Sequence, residues 1–180
     1  ICILVSLVYL GQARERARIE RIRKSNALNE RHNRMQLLLH ELPPQYLNNE
    51  LRMMVTERSI ETIKELSSIN NDEKLKQQMA QEQDFLKQLR EKSPKFKPVI
   101  VQNEAKAKDV RVLLESLSRF VQNQNKRKRL DVSSTKKYLD HINFSICQSK
   151  ADLFTARAEA ANKTGKPRVA IHNYHNAIEA

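Results

Sequence analysis

Glycine and proline, the two residues that most often interrupt helices, occur at only a few places in this chain. They are Gly11, the pair Pro43-Pro44, Pro94 and Pro98, and the closely spaced Gly165 and Pro167. Only 5% of the residues are aromatic, and there is no tryptophan. A β-sheet protein normally contains more turn residues and more aromatic side chains than this. The sequence therefore predicts an all-α protein whose helices end near the prolines.

Helix boundaries in the first half follow from these interruptions and from polar capping residues. A first helix is expected to continue to about Leu42, where the proline pair stops it. A second helix is predicted over about 47–68. The polar sequence SINNDEK ends the second helix and provides Asn71 or Asp72 as the N-cap of a third, which runs to about residue 92.

The sequence KSPKFKPV is the clearest internal boundary, because its two prolines cannot lie inside one regular element. A fourth helix should end near residue 124, and Ser133 or Ser134 should cap a fifth. From Leu139 to Ala160 the apolar and small residues of the fifth helix alternate between spacings of three and four. This coiled-coil spacing is typical of helices packed at a shallow angle, most simply against the fourth helix folded back across a basic loop.

These helices predict an elongated array of antiparallel helical hairpins, similar to an α-solenoid, that follows a helical stalk. Four segments are expected: an apolar start over 1–10, a basic stalk over 11–42, a hairpin over 43–93, and a hairpin over 99–180 that leads into a C-terminal one. The C-terminal hairpin is expected to continue beyond the last residue of the sequence.

The chain starts with ten residues of which only one is strongly polar, and a basic run follows them. The apolar run is shorter than the roughly 20 residues that cross a bilayer, but the chain begins with Ile1 and not with methionine. The run is therefore expected to be the C-terminal part of a transmembrane helix, with a signal-peptide segment and an apolar core segment as alternatives. The basic residues that follow are Arg14, Arg16, Arg18, Arg21, Arg23 and Lys24.

Positive charge beside a membrane helix is typical of its cytoplasmic side. The sequence therefore predicts a single-pass membrane protein with its body on the cytoplasmic side and the basic run close to anionic lipid. Two cysteines, Cys2 and Cys147, lie far apart in the sequence and do not form a disulfide or zinc-binding pattern. A reducing compartment agrees best with this.

A second basic cluster lies between the predicted fourth and fifth helices. It contains Lys126, Arg127, Lys128, Arg129, Lys136 and Lys137. The whole chain carries a formal net charge of +12, which favours nucleic acid, anionic lipid or acidic protein as a partner. Only Tyr138 is an aromatic neighbour, and no base-reading motif is apparent. A solvated loop, an electrostatic contact with protein or lipid, and nucleic-acid binding stay open for this cluster.

Small residues and one aromatic residue are regularly spaced at the end of the chain. They are Ala158, then Gly165 at a turn, then Ala170, Tyr174 and Ala177. In this spacing, residues 151–180 resemble a tetratricopeptide repeat (TPR), in which two antiparallel helices meet at a tight turn. The resemblance implies that these residues build a surface that binds an extended peptide or a helix of another protein, supported by neighbouring helices.

The resulting functional prediction is a membrane-anchored helical scaffold or adaptor that binds another protein through a TPR-like surface and that can self-associate. The alternative is a basic helical protein associated with nucleic acid, in DNA binding or repair, and held at the membrane. A third interpretation is a helical domain of a larger assembly whose activity lies further along the chain.

Catalytic and metal-binding patterns are weak. The sequence NKTGKP lacks the upstream glycine and the following serine or threonine of a phosphate-binding loop. His172 and His175 have no third ligand at a suitable spacing, which favours two exposed histidines. Cys147 stands among apolar residues and is expected to be a small buried side chain. The sequence therefore predicts no enzyme activity, no cofactor and no metal.

Overall fold

Six α-helices and one 3₁₀ turn account for most of the described chain. The computed structural model describes residues 2–70, 72–92, 96–101 and 103–180, and within them all side chains except those of 2–8, 10 and 92. The helices are α1 (Cys2–His40), α2 (Asn49–Ile69), α3 (Glu73–Lys92), α4 (Glu104–Lys126), α5 (Val132–Lys163) and α6 (Pro167–Ile178). These residues contain no β-strand. The prediction of an all-α protein is confirmed, whereas the solenoid-like array stays a prediction.

Proline and a polar cap set the ends of the first helices. After α1, the two prolines open the 3₁₀ turn Pro44–Tyr46, in which the backbone N–H of Tyr46 donates to the carbonyl of Pro43 at 3.1 Å. Helix α3 begins after Asp72, whose carboxylate accepts the backbone N–H of Lys74 at 3.0 Å. The predicted cap at Asp72 is therefore confirmed, and its alternative, Asn71, lies outside the described residues.

The start of α5 differs from the prediction. Its N-cap is Asp131, whose carboxylate accepts the backbone N–H of Ser134 at 2.8 Å. The predicted serine caps at Ser133 and Ser134 are wrong, because both residues already lie in the first turn of the helix. A carboxylate accepts more strongly than a hydroxyl and is favoured by the positive end of the helix dipole.

The first compact unit comprises Ile1–Leu37 and Met53–Ser93. An apolar cluster joins its three helices and consists of Leu28, Ile63, Leu66 and Leu75. Polar contacts supplement this cluster: the side chain of Asn70, just after α2, donates to Ser25 Oγ on α1 at 2.8 Å. Burial of these leucines and isoleucine removes apolar surface from water and holds α1, α2 and α3 together.

The second compact unit comprises Leu38–Arg52 and Pro94–Ala180. Helices α4 and α5 pack against each other across the short basic loop. They run antiparallel, because Glu104 at the start of α4 pairs with Arg157 near the end of α5 at 3.0 Å. The predicted pairing of the fourth and fifth helices is confirmed. Helix α6 folds back along the last part of α5.

Tyr46 fastens the turn after α1 to the middle of α5. Its side chain is fully buried, and its hydroxyl donates to Asp152 Oδ2 at 2.6 Å. The backbone carbonyl of Tyr46 accepts the hydroxyl of Ser145 at 3.2 Å. Helix α5 therefore supports the 3₁₀ turn on one side while it packs with α4 and α6.

The prediction of a transmembrane segment, and with it a single-pass membrane protein, is wrong for the described part of the chain. No helix there contains an apolar stretch long enough to cross a bilayer. Helix α1 is long enough in residues, but arginines enter it from position 14 onward. A membrane-spanning helix needs about 20 predominantly apolar residues, since charges in the hydrocarbon layer are costly. The cytoplasmic orientation was inferred from basic residues beside a membrane helix, and the described residues contain no such helix.

Candidate protein-interaction surface

The turn between α5 and α6 is built around Gly165. This residue has a φ of 70°, in the left-handed region that favours glycine. The backbone N–H of Gly165 donates to the carbonyl of Asn162 at 3.1 Å, and that of Lys166 donates to Ala161 at 2.9 Å. These two hydrogen bonds form a Schellman motif, which satisfies carbonyls at the end of α5. Pro167 then begins α6, where its missing N–H costs nothing.

Small side chains line the inner face of this hairpin. Ala158 and Ala161 on α5 and Ala170 on α6 are buried, and Ala177 is half-buried. Alanine lets two helix backbones approach closely, so α6 is held against α5 along its length. The structure thus places four of the five predicted TPR-like residues at the turn or on this inner face. Tyr174 is the exception, because its side chain is 42% exposed.

The outer face of α6 carries a row of large apolar side chains. Ile171, Tyr174 and Ile178 follow one another at intervals of three and four residues and are 68%, 42% and 85% exposed. This row is called the α6 apolar face below. Complete burial of a fully exposed isoleucine gains roughly 1.5–3 kcal/mol, and the gain is smaller for Tyr174, which is already partly covered. The sequence prediction included Tyr174 but missed the two isoleucines, although their helical spacing was readable.

A groove lies between α4 and α6, with α5 as its floor. Its volume is about 780 Å³. The residues around it are Glu104, Ala107, Lys108, Arg111, Ser149, Lys150, Leu153, Phe154, Asn176, Glu179 and Ala180. Leu153 is buried and Phe154 is half-buried, so the floor is apolar. This feature is called the α4–α6 groove below, and sequence reasoning missed it because it arises from three separate helices.

The charged side chains around the groove differ in their pairing. Arg157 pairs with Glu104 at 3.0 Å, Arg111 pairs with Glu115 at 3.1 Å, and His175 lies 3.2 Å from Glu179. Within the described residues, Lys108 and Lys150 have no acidic partner, and both are exposed. The groove therefore presents two uncompensated positive charges beside an apolar floor.

The basic cluster between α4 and α5 is exposed in part and paired in part. The side chains of Lys126, Arg127 and Lys128 are exposed at the end of α4, as is that of Lys136 in the first turns of α5. Lys137 is different, because its ammonium group donates to Glu50 at 2.6 Å, and this hydrogen bond raises its pKa. The pairing of Lys137 with Glu50 removes one positive charge from the predicted patch. The side chain of Arg129, in the same loop, is exposed.

The basic run of α1 lies on an exposed helix in the first compact unit. All six of its side chains, from Arg14 to Lys24, face solvent. Arg21 donates to the backbone carbonyl of Ile69, and Arg18 lies 3.9 Å from Glu15. Exposed pairs of this kind contribute less than about 1 kcal/mol each. The contact between Arg18 and Glu15 lies within α1, whereas that of Arg21 joins α1 to the end of α2.

The histidines and the cysteine singled out in the sequence are all accessible. His172 contacts Asn176 and His175 contacts Glu179, each one helical turn away. Cys147 is exposed, so the prediction of a buried side chain is wrong. Helix α5 turns Ser145 and Ser149 inward at these positions, which places Cys147 on the opposite face. No three potential metal ligands converge in the described part of the chain.

Sequence reasoning also missed a polar group inside the first compact unit. His32 Nδ1 lies 3.0 Å from Ser59 Oγ and 3.9 Å from Glu82 Oε1. Gln36 donates to both Ser59 and Glu82. Burial lowers the pKa of His32 and raises the pKa of Glu82, so both groups favour their neutral forms. Ser59 is fully buried and His32 is buried beside it.

Comparison with known protein families, with curated proteins and with solved structures finds no match for this chain. The TPR resemblance of residues 151–180 therefore stays a prediction. Function has to be inferred from the chemistry of the surfaces themselves.

Proposed function

We propose that this chain is a helical protein-binding module and that a partner protein docks on the α6 apolar face. The exposed row of Ile171, Tyr174 and Ile178 carries this proposal. Single exposed apolar residues are common on soluble proteins, but a continuous row on one helix face marks an interaction surface. Such a row at intervals of three and four is the pattern by which a helix enters a hydrophobic groove of its partner.

The inner face of α6 supports the same proposal. Because alanines seat α6 closely on α5, and Gly165 and Pro167 define the turn before it, the outer face has a defined position. A helix held in this way loses little conformational entropy on binding. The resemblance to a TPR hairpin agrees with a role in holding another protein.

The test compares variants of the α6 apolar face with a matched control. The 180-residue chain is used as bait, captured proteins are identified, and the affinity of the purified partner is then measured directly. Ile171→Asp and Ile178→Asp should each weaken that affinity at least about tenfold, since an apolar contact is replaced by a charge that must be desolvated. Val132→Asp is the control, because Val132 is 75% exposed at the opposite end of α5.

The control should bind the partner as tightly as the parent chain. Circular dichroism should show unchanged helix content in all three variants, since the substituted side chains are exposed. Equal affinities for the parent and both α6 variants would mean that the α6 apolar face does not hold the partner, and the proposal would fail.

Nucleic-acid binding is the second candidate function. The exposed cations at the end of α4 favour it: Lys126, Arg127 and Lys128 lie in sequence, and Lys136 follows nearby. Such a cluster can neutralise phosphates without reading bases. It ranks second because Tyr138 is the only aromatic neighbour in the sequence around the loop and no base-reading motif accompanies the cluster.

A further inference from the structure

The α4–α6 groove has two properties that a recognition site for a peptide needs. Its floor is apolar, formed by Leu153 and Phe154, and its volume is about 780 Å³. Side chains of α4, α5 and α6 surround it, so a ligand there would contact three helices at once. The groove shares no residue with the α6 apolar face, since it is lined by Asn176 of α6 and by Glu179 and Ala180 after that helix.

Charge determines what kind of ligand the groove would accept. Glu104 pairs with Arg157, and Glu179 lies beside His175, which compensates its charge only when the imidazole is protonated. Lys108 on α4 and Lys150 on α5 are left as uncompensated cations within the described residues. Arg111 is the third basic side chain of the lining, and its guanidinium pairs with Glu115. The lining therefore holds three basic side chains against two acidic ones, and the local charge favours carboxylates of the ligand at the two lysines.

We propose that the α4–α6 groove binds a short acidic peptide segment of a partner protein, with an apolar side chain on Phe154 and carboxylates at Lys108 and Lys150. This inference rests on the proposed function insofar as its ligand belongs to a protein, but it concerns a separate surface. Exposed lysines alone contribute little to binding, so a small anion would gain too little without contact to the apolar floor. A short acidic peptide can supply carboxylates and an apolar side chain together, which matches two lysines beside an apolar floor.

The probe is a short fluorescent peptide in which aspartates and glutamates flank one phenylalanine. Its control has the same length, with asparagine and glutamine in place of the acids. Fluorescence anisotropy with the full chain should show saturable binding of the acidic peptide, weaker binding at higher salt, and at least about tenfold weaker binding of the amide peptide.

Two double variants with the same change in charge decide whether the groove is responsible. Lys108→Glu with Lys150→Glu should weaken binding of the acidic peptide at least about tenfold. Lys126→Glu with Lys128→Glu removes the same charge from the basic loop and should leave the affinity within about twofold of the parent. All four side chains are exposed, so circular dichroism should show folded protein in both cases.

Several outcomes would overturn the inference. Equal losses in the two double variants would mean that overall charge attracts the peptide. Equal binding of the amide peptide would remove the role of the lysines, and a lack of binding would remove the site. If a short DNA duplex instead displaces the peptide and loses its own binding in the Lys108→Glu, Lys150→Glu variant, that result would assign the groove to nucleic acid. Ile171→Asp should still bind the acidic peptide, so failure of the groove and failure of the α6 apolar face can be told apart.

Discussion

Glu82 lies in the interior of the first compact unit and faces polar side chains of α1 and α2. Its side chain is 13% exposed and accepts a hydrogen bond from Gln36, with His32 Nδ1 at 3.9 Å. Burial raises the pKa of Glu82, and hydrogen bonds from Ser59 and Gln36 offset part of this rise. The folded chain therefore holds the proton of Glu82 more tightly than the unfolded chain does.

This difference predicts how Glu82→Gln changes stability with pH. Below the ordinary pKa of 4.5, the carboxyl is neutral in both states and imposes no charge penalty. As pH rises from 4.5 to the raised folded value, the unfolded chain releases this proton while the folded chain still holds it, so the free energy of unfolding falls. Glu82→Gln should thus increase the free energy of unfolding at neutral pH by about 1 kcal/mol. The gain should shrink toward pH 4.5.

Urea denaturation at both pH values measures this effect. Asp84→Asn is the matched control, because Asp84 is an exposed acid of the same helix. Its stability should change little at either pH. A Glu82→Gln variant that unfolds more easily at neutral pH would indicate that the charged carboxylate stabilises the fold, for example by pairing with protonated His32.

At the scale of single elements, α4 and α5 end in the same backbone geometry with different residues. After α4, Lys128 has a φ of 55°, and the backbone N–H groups of Lys128 and Arg129 donate to Asn125 and Gln124 at 2.8 and 3.0 Å. After α5, Gly165 occupies the equivalent left-handed position. A side chain in this conformation costs roughly 1 kcal/mol or more, so the first turn is strained and the second is not.

Exchanging the residue types at these two positions should have opposite effects. Lys128→Gly should raise the free energy of unfolding by about 0.5–1 kcal/mol, because glycine adopts the left-handed conformation without strain. Gly165→Ala should lower it by about 1 kcal/mol through backbone strain alone, since no atom lies within 4 Å of a Cβ added there. Thermal unfolding measures both changes.

Lys128→Ala separates backbone strain from charge. It keeps the strained conformation and removes the ammonium group, so its melting temperature should stay close to that of the parent. If Lys128→Ala is as stable as Lys128→Gly, then loss of the positive charge, and not relief of strain, explains the gain.

The elements were largely predictable because their signals are local. Prolines and a polar cap define where α1 and α3 end or begin, and Gly165 marks the last turn. The membrane prediction failed because it extrapolated an apolar run that is too short, and the described α1 becomes charged from Arg14 onward. Asp131 was missed because two serines beside it are equally common caps.

The candidate surfaces were less predictable, since they depend on which helices meet. The alanine spacing indicated the inner face of the last hairpin, but the isoleucines of the opposite face were not recognised. The α4–α6 groove brings together residues such as Lys108 and Lys150 from separate helices. Similarly, the contact between His32 and Glu82 joins α1 and α3. Contacts between distant residues require the tertiary structure.

At the scale of the whole molecule, the net charge of +12 will attract polyanions whatever the specific partner is. Much of this charge lies on exposed side chains of α1 and of the basic loop. Attraction of this kind is screened by salt, whereas contacts on the α6 apolar face are not. Salt dependence can therefore separate protein binding from binding to nucleic acid.

Titration of the chain with duplex DNA tests the second candidate function. If protein binding is the principal role, DNA binding should be weak and independent of sequence, and should fade at physiological salt. Changing Lys126, Arg127, Lys128 and Arg129 to Gln should reduce the slope of log affinity against log salt by about three to four units where all four contact phosphates.

The control changes Arg14, Arg16, Arg18 and Arg23 to Gln, which removes the same charge from exposed positions on α1. Equal effects of both sets would assign DNA binding to overall charge. Submicromolar binding at physiological salt that only the loop variant loses would instead place nucleic-acid binding first, because a local cluster would then carry the affinity.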